Sequence, residues 1–436
     1  MRIRRLLAAL AIAALIAPIA SVEAGAPQIQ DDEVRYIVHL RQDVVDAEVG
    51  RFRGQDADRV RGRAVAALAG ELPIRYRVAR GDVFTRAFSG AIVTASAAEC
   101  AALMSDPRVV LVEREQATEV LPVPTTAVDP DVQRNAMNWG LDRIDQRDGL
   151  DQKFETEFDG TGVDVYIIDT GAFGRHRDFK GRMSRGRDFT KNGNAPGNKD
   201  CQSHGTHVSS IAAGRQWGVA PGAQVVPLKV FPKCSGQGSS IEVVEAMEWI
   251  LKNHDPKRGG VANLSLGFTG DSPSTRAGIK ALYQAGIVTA AAAGNDKKDT
   301  CNRSPGNSMF GITTGASDHK KAFDSPGGSM IEAGRDDKAA GFSNHGPCVD
   351  IFAPGTVIKA AGIQNRNATS YKSGTSMASP FVAGAVALLM QRRPDWSPEQ
   401  IRDEIEKYGT KKAMKGLRKN TVNLLLYAVP EEYKGR

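Results

Sequence analysis

Beyond its first two dozen residues, this 436-residue chain has no apolar run near the roughly 20 residues a helix needs to cross a bilayer, which excludes a membrane-spanning bundle. It has no internal repeat and no low-complexity tract, so collagen-like, coiled-coil and largely disordered classes are excluded too. A large excess of one charge is also missing. The 57 Lys and Arg against 50 Asp and Glu leave +7, which does not call for nucleic acid. Lysine is absent from residues 1–126, which hold 16 Arg and 16 acidic residues, so the whole +7 lies on residues 127–436. That break marks a boundary between two regions of different composition. Cysteine is scarce: Cys100 lies before the break, and Cys201, Cys234, Cys301 and Cys348 lie after it. Four cysteines allow three pairings, and their order along the chain does not choose among them.

What is present suits a globular protein, with 41% hydrophobic residues and a length that predicts two domains or one large domain with an accessory piece. Residues 1–24 read as a signal peptide. Arg2, Arg4 and Arg5 precede an apolar stretch over residues 6–20, and Val22-Glu23-Ala24 offers the small residues of a cleavage site. The expected destination is therefore extracellular, without stable membrane association. Residues 25–119 are expected to form a small α+β domain, with strands at Val34–Leu40, 88–93 and 109–113 and a helix at Ala97–Met104. Residues 120–137 contain Leu121-Pro122-Val123-Pro124, an extended linker open to cutting. From residue 138 to 436, buried-strand runs at 163–168, 224–230, 261–266, 287–292 and 349–352 alternate with helical stretches at 240–253, 274–285 and 379–391. This alternation predicts an α/β fold with a doubly wound, mostly parallel sheet, helices on both faces and function at the strands' carboxyl ends.

Three short motifs fall where such a fold places a site. A buried strand ends on the carboxylate of Asp169, Ser203-His204-Gly205-Thr206-His207 opens a helix, and Gly374-Thr375-Ser376-Met377-Ala378-Ser379-Pro380 places a serine at the start of another. Pro380 is expected in that helix's first turn, where a missing N–H costs nothing. A serine hydroxyl attacks a peptide only if a base takes its proton, which His204 could do, and a buried Asp169 would orient the imidazole. Chain order separates the hydrolase scaffolds. The last histidine, His345, precedes Ser376, against an α/β-hydrolase, and the order Asp, His, Ser is that of subtilisin.

With these motifs the segment from about Trp139 to Tyr427 resembles a subtilisin-like serine protease of the proteinase K family, and within it the aqualysin-type bacterial enzymes. Further residues carry the likeness: Trp139-Gly140-Leu141-Asp142-Arg143-Ile144-Asp145-Gln146, a cysteine three residues before His204, and Gly346-Pro347-Cys348. The resemblance implies a serine endopeptidase acting on proteins and peptides, with broad preference for apolar or aromatic residues before the cut. It implies that Asn295, after Gly294, donates to the oxyanion together with the Ser376 N–H. It also implies that Ser265-Leu266-Gly267 and Ser235-Gly236 flank the substrate strand. Gly238 stands where the family often has a lid tyrosine.

The same resemblance implies disulfides Cys201–Cys234 and Cys301–Cys348, leaving Cys100 as a free thiol. It implies structural calcium at Asp142, Asp145 and Gln146, completed by Asp151 or Gln152, and at Asp350 with the carbonyls of Met309 and Gly311. It makes residues 25–119 an inhibitory propeptide that also assists folding, removed by self-cleavage between about residues 119 and 138, and it implies a monomer. Two rival functions are an inactive binding module on the same fold and a zinc hydrolase using Cys201, His204 and His207, although His207 is expected to serve packing or hydrogen bonding. Asn263 and Asn367 fit glycosylation sequons expected to stay bare, and residues 319–340 are expected to be a surface excursion.

Overall fold

The structure, a computed structural model, describes residues 33–50, 57–120, 138–190, 195–268, 270–319 and 337–430. The expected signal peptide, nearly all of the linker with its cutting region, and most of the 319–340 excursion lie outside these residues. From Glu33 onward the chain clusters as one unit.

Residues 33–120 begin with the strand Val34–Leu40, whose β-branched and aromatic residues suit a pleated surface. It lies inside a four-stranded antiparallel sheet in the order Ala79–Phe84, Gly90–Ala95, Val34–Leu40, Val109–Arg114. One face packs Val38, Leu40 and Val93 against Val45, Val65, Leu68, Leu72 and Leu103 of the helices Gln42–Val49, Ala57–Tyr76 and Ala97–Met104. The last of these starts at a capping box in which Ser96 and Glu99 satisfy each other's backbone N–H. The opposite face carries Ile37, Phe84 and Ile92, and these pack on Ile241 and Val244 of the helix Ser240–Asn253. The small unit therefore shares an apolar contact with the large one.

The large unit is built on a ten-stranded sheet. Its central strands run in the order Ile351–Pro354, Gly311–His319, Val288–Ala292, Gly259–Leu264, Val163–Asp169, Gln224–Lys229, all parallel. Strand 163–169 has 224–229, the next of these central strands along the chain, on one side and 259–264 on the other, so the winding reverses there and opens a crevice at its carboxyl end. Helices His204–Ala213 and Thr375–Arg392 pack with one apolar layer, and Ser240–Asn253 and Pro273–Gln284 with the other.

One expectation about the serine helix fails. It begins at Thr375, so Pro380 is its sixth residue, inside the helix rather than in the first turn. A proline there cannot donate to the carbonyl four residues back, which belongs to Ser376.

Candidate active site

Asp169 ends the central strand, fully buried, and its backbone carbonyl accepts the N–H of Val230. Its carboxylate accepts from Thr170 N at 2.7 Å and from His204 Nδ1 at 2.8 and 2.9 Å. Nδ1 therefore carries a proton, and in the neutral ring Nε2 is the acceptor. His204 is buried, and Nε2 has no hydrogen-bond partner.

The turn before His204 is held by Asp200, a residue that motif reading passed over. Its carboxylate accepts from the backbone N–H of Gln202 (2.9 Å), Ser203 (2.9 Å) and Thr206 (3.0 Å) and from the Thr206 and Thr170 hydroxyls. An acid just ahead of a helix, suited to its positive end, was the available signal. Ser203 takes a left-handed φ of 84°, turning the chain sharply into the helix. Gly205 must be glycine, since a Cβ would stand 2.1 Å from the carbonyl oxygen of Gly171. Next to this turn the Cys201–Cys234 disulfide closes a 33-residue separation, and Cys301–Cys348 closes 47. Each contributes about 4 kcal/mol on the chain-entropy argument.

Ser376 is the second residue of its helix, where backbone N–H groups have no intrahelical acceptor. Its hydroxyl donates to the Ser265 carbonyl at 3.2 Å rather than to His204. Asn295 is fixed through its side-chain oxygen, which accepts from Thr375 N and Thr375 Oγ1, both at 2.9 Å, leaving its Nδ2 beside Gly374. Asn344, also passed over, props this loop. It accepts from Asp296 N and Lys298 N, donates to the Ala293 carbonyl, and fills the space a Cβ on Gly294 would need. It is 49 positions from Asn295, and no local pattern announces it.

Between the expected substrate edges lies a strand of the chain itself. Ala117–Val120 is the middle strand of a three-stranded antiparallel sheet, with Leu266–Phe268 on one side and Gln237–Ser239 on the other. Val120 faces Leu266, Glu119 faces Gly267 and Gln237, and Val120 N donates to Gly236 O at 2.8 Å. Ser235 stands outside this ladder and braces the turn by accepting from Gln237 N. Thr118 is buried beside Gly238, where a Cβ would lie 3.3 Å from its methyl group.

Polar groups pin the small unit in both directions. Glu113 accepts from the Ser272 and Ser274 hydroxyls and Ser274 N at the start of helix Pro273–Gln284. Glu248 accepts from the backbone N–H of Thr85, Arg86 and Ala87. Arg35 joins Glu115 to Glu242. Asp82 instead meets another acid, Glu245, whose carboxyl is pushed up to about 8, first by burial and then by Asp82.

The two expected calcium sites differ. Asp142, Asp145 and Asp151 each offer an oxygen, all within 4.8 Å of one another. Burial pushes Asp142 up to about 6, and the nearby Asp151 adds to this against N–H donors from Asp151 and Gln152. Three convergent carboxylate oxygens fit a hard divalent cation such as calcium. Gln146 is adjacent, its amide donating to Asp142 and to Gly149 O. The second expectation is corrected. The guanidinium of Arg402 fills that place, donating from Nη2 to Asp350 at 2.6 Å and from Nη1 to the carbonyls of Met309 (2.9 Å) and Gly311 (3.4 Å). Those oxygens already have a cation, so Asp350, Met309 and Gly311 do not fit a metal site. The zinc reading fails as well. Cys201 is in a disulfide, and His207, held neutral by burial, bonds the carbonyls of Ile358 and Ser370.

The parallel sheet, with His204 on Asp169 at the carboxyl end of its central strand and Ser376 on Ser265 just past the neighbouring strand, suits a hydrolase. The chain belongs to the subtilase family, whose profile matches residues 160–422, and it is a subtilisin-like serine protease. It is 37% identical over 347 residues to an extracellular serine proteinase of a Thermus species, covering 79% of this chain and 77% of that protein. It is 35% identical over 402 residues to alkaline serine exoprotease A of Vibrio alginolyticus, covering 91% and 68%. A cold-adapted subtilisin-like serine proteinase of solved structure matches at 36% identity with a TM-score of 0.60, over 68% of this chain and all of that one. Fervidolysin from Fervidobacterium pennivorans, at 21% identity and TM-score 0.68, covers 91% of this chain and 60% of its own and shares the fold. Among the described residues no helix is long and apolar enough to cross a membrane.

Proposed function

We propose that the protein is a secreted serine endopeptidase made as a self-processing zymogen, with Asp169, His204 and Ser376 as its triad. The observation that carries this reading is the buried His204 ring, its Nδ1 proton committed to Asp169 and its Nε2 left as an unpartnered acceptor. A buried acceptor without a donor costs about 1–3 kcal/mol and is kept where chemistry uses it. In the reaction the Ser376 hydroxyl turns from Ser265 to His204, gives up its proton as its oxygen bonds the scissile carbon, and the imidazolium is stabilised by Asp169. The N–H of Ser376 and Nδ2 of Asn295 hold the oxyanion. His204 then protonates the leaving amine, and water repeats the sequence on the acyl group. Catalytic hydrogen bonds are commonly long before the reactive complex forms, which suits a precursor whose cleft is filled.

The strand Ala117–Val120 supports the zymogen reading, since it pairs with both edges as a substrate would. Residues 25–119 then act as inhibitor and folding partner, and the cut falls in the linker after residue 119. The mature enzyme is a monomer that takes extended polypeptides and prefers apolar or aromatic residues before the cut. Calcium, held by Asp142, Asp145 and Asp151, would tie the loop after residue 144 by bridging acids that otherwise repel. A fluorophosphonate probe tests the reading. The matured protein should label stoichiometrically at Ser376, and Ser376→Ala should remain joined to its N-terminal unit. Maturation of that variant in a protease-free host would overturn self-processing.

A further inference from the structure

The proline inside the serine helix leaves the Ser376 carbonyl without its helical donor, yet that carbonyl is satisfied. Ser265 Oγ donates to it at 2.8 Å. Ser265 Oγ in turn accepts from Asn263 Nδ2 at 2.9 Å, and Asn263 Oδ1 accepts from the Ser379 hydroxyl at 2.7 Å. All four residues are wholly inaccessible. The direction of the chain of bonds is fixed from one end. The Ser376 carbonyl can only accept, so Ser265 spends its one proton there and must accept from the amide nitrogen of Asn263. The amide oxygen is then turned to Ser379. The chain leaves the serine helix at Ser379, crosses the substrate-edge segment through Asn263 and Ser265, and returns to the helix at Ser376.

We propose that Ser265, Asn263 and Ser379 are positioning residues that replace the helix bond removed by Pro380 and set where Ser376 sits relative to His204 and the oxyanion donors. This rests on Ser376 being the nucleophile. An ordinary helix bond would hold the Ser376 carbonyl to its own helix. Here it is held to the segment whose next residues, Leu266 and Gly267, pair with strand Ala117–Val120 in the place proposed for substrate. Nucleophile and substrate edge thus share one rigid reference, and small displacements of a reacting atom cost large factors in rate. Two of the three carry a further link to the cleft: the Ser265 carbonyl accepts the resting Ser376 hydroxyl, and Asn263 lies in strand 259–264 beside the central strand.

The test is a double-mutant cycle read on folded, matured enzyme by the rate of fluorophosphonate labelling and by kcat and KM on a peptide. Ser265→Ala should lower the labelling rate and kcat about tenfold with KM little changed. In a Pro380→Ala background, where residue 380 regains an N–H for the Ser376 carbonyl, the same substitution should cost less than about twofold. Ser379→Ala, at the far end of the chain of bonds, should give a smaller kcat loss, and Ser379→Thr, which keeps the hydroxyl, should restore it. Labelling of Ser265→Ala at the parental rate, or equal costs in both backgrounds, overturns the proposal. Should Pro380→Ala fail to fold, the Ser379 pair decides: equal kcat in Ser379→Ala and Ser379→Thr overturns it. A parent that never labels at Ser376 instead removes the nucleophile assignment, a separate failure.

Discussion

The centre around Ser376 and the face covered by residues 33–120 use charge in opposite ways. At the centre one buried carboxylate, Asp169, meets one imidazole, and the remaining bonds near the serine run between neutral groups of Thr375, Asn295, Ser265, Asn263 and Ser379. At the covered face neutral bonds such as His39 to Ser274 and Gln116 N–H to Ser240 are joined by a set of carboxylates: Glu113 and Glu248 on backbone donors, Glu115 and Glu242 on Arg35, and Asp82 against Glu245. Neutral buried bonds hold across a wide pH range and suit a permanent site. Charged links weaken with pH and salt once water reaches them, which suits the release proposed for residues 33–120.

The contrast predicts that changes at the centre alter rate while the cover stays put, and that changes at the face do the reverse. Ser376→Ala should give the largest effect, a loss in kcat on the order of 10⁶-fold on a peptide substrate. Asn295→Ala should cost about 10²- to 10³-fold in kcat with KM little changed, measured on a peptide substrate. In the uncut Ser376→Ala precursor, Glu113→Ala and Glu248→Ala should each favour opening of the small unit by about 10- to 100-fold, read as faster nicking of residues 33–120 by trypsin. Equal nicking would break the comparison.

A smaller effect follows from the paired acids. Glu245 is raised from 4.5 to about 8 at this face, so its protonated form favours the closed state. That contribution is whole below about 4.5 and is lost as pH climbs through 8. Opening should rise over this window, and Asp82→Asn should flatten the rise; Arg35, Arg80, Arg187 and Glu242 line the same cavity as Glu245. The two acidic loops extend the contrast to metal. Asp142 is raised to about 6, so in calcium-free protein its contribution fades as pH rises from about 4 to 6, while calcium affinity grows over the same range. Calcium counting should show an ion lost in Asp142→Asn and none lost in Asp350→Asn, where Arg402 serves instead.

Much of this was legible in sequence because the chemistry sits in short motifs at element ends. Helices Ser240–Asn253 and Ala97–Met104 and strand Val34–Leu40 form where periodicity placed them. Strand Gly311–His319 and helix Pro398–Tyr408 escaped, the first because its Gly, Thr and Ser blur the apolar run. Arg402 escaped for another reason. It reaches Asp350 from 52 positions away, and a motif match shows which oxygens converge without showing what fills the space between them. The bridge from Ser265 to the Ser376 carbonyl spans 111 positions and depends on a proline whose place in the helix only coordinates reveal.

Departure of strand Ala117–Val120 would leave Gln237–Ser239 and Leu266–Phe268 facing each other across two inter-strand spacings, about 9.5 Å. A gap of that width admits a single stretched chain and nothing thicker, so neither an intact helix nor a strand still paired in its own sheet can enter. Selection among proteins would then fall first on how readily a segment frays loose, and only afterwards on its side chains. Tightly knit proteins would outlast neighbours whose loops give way.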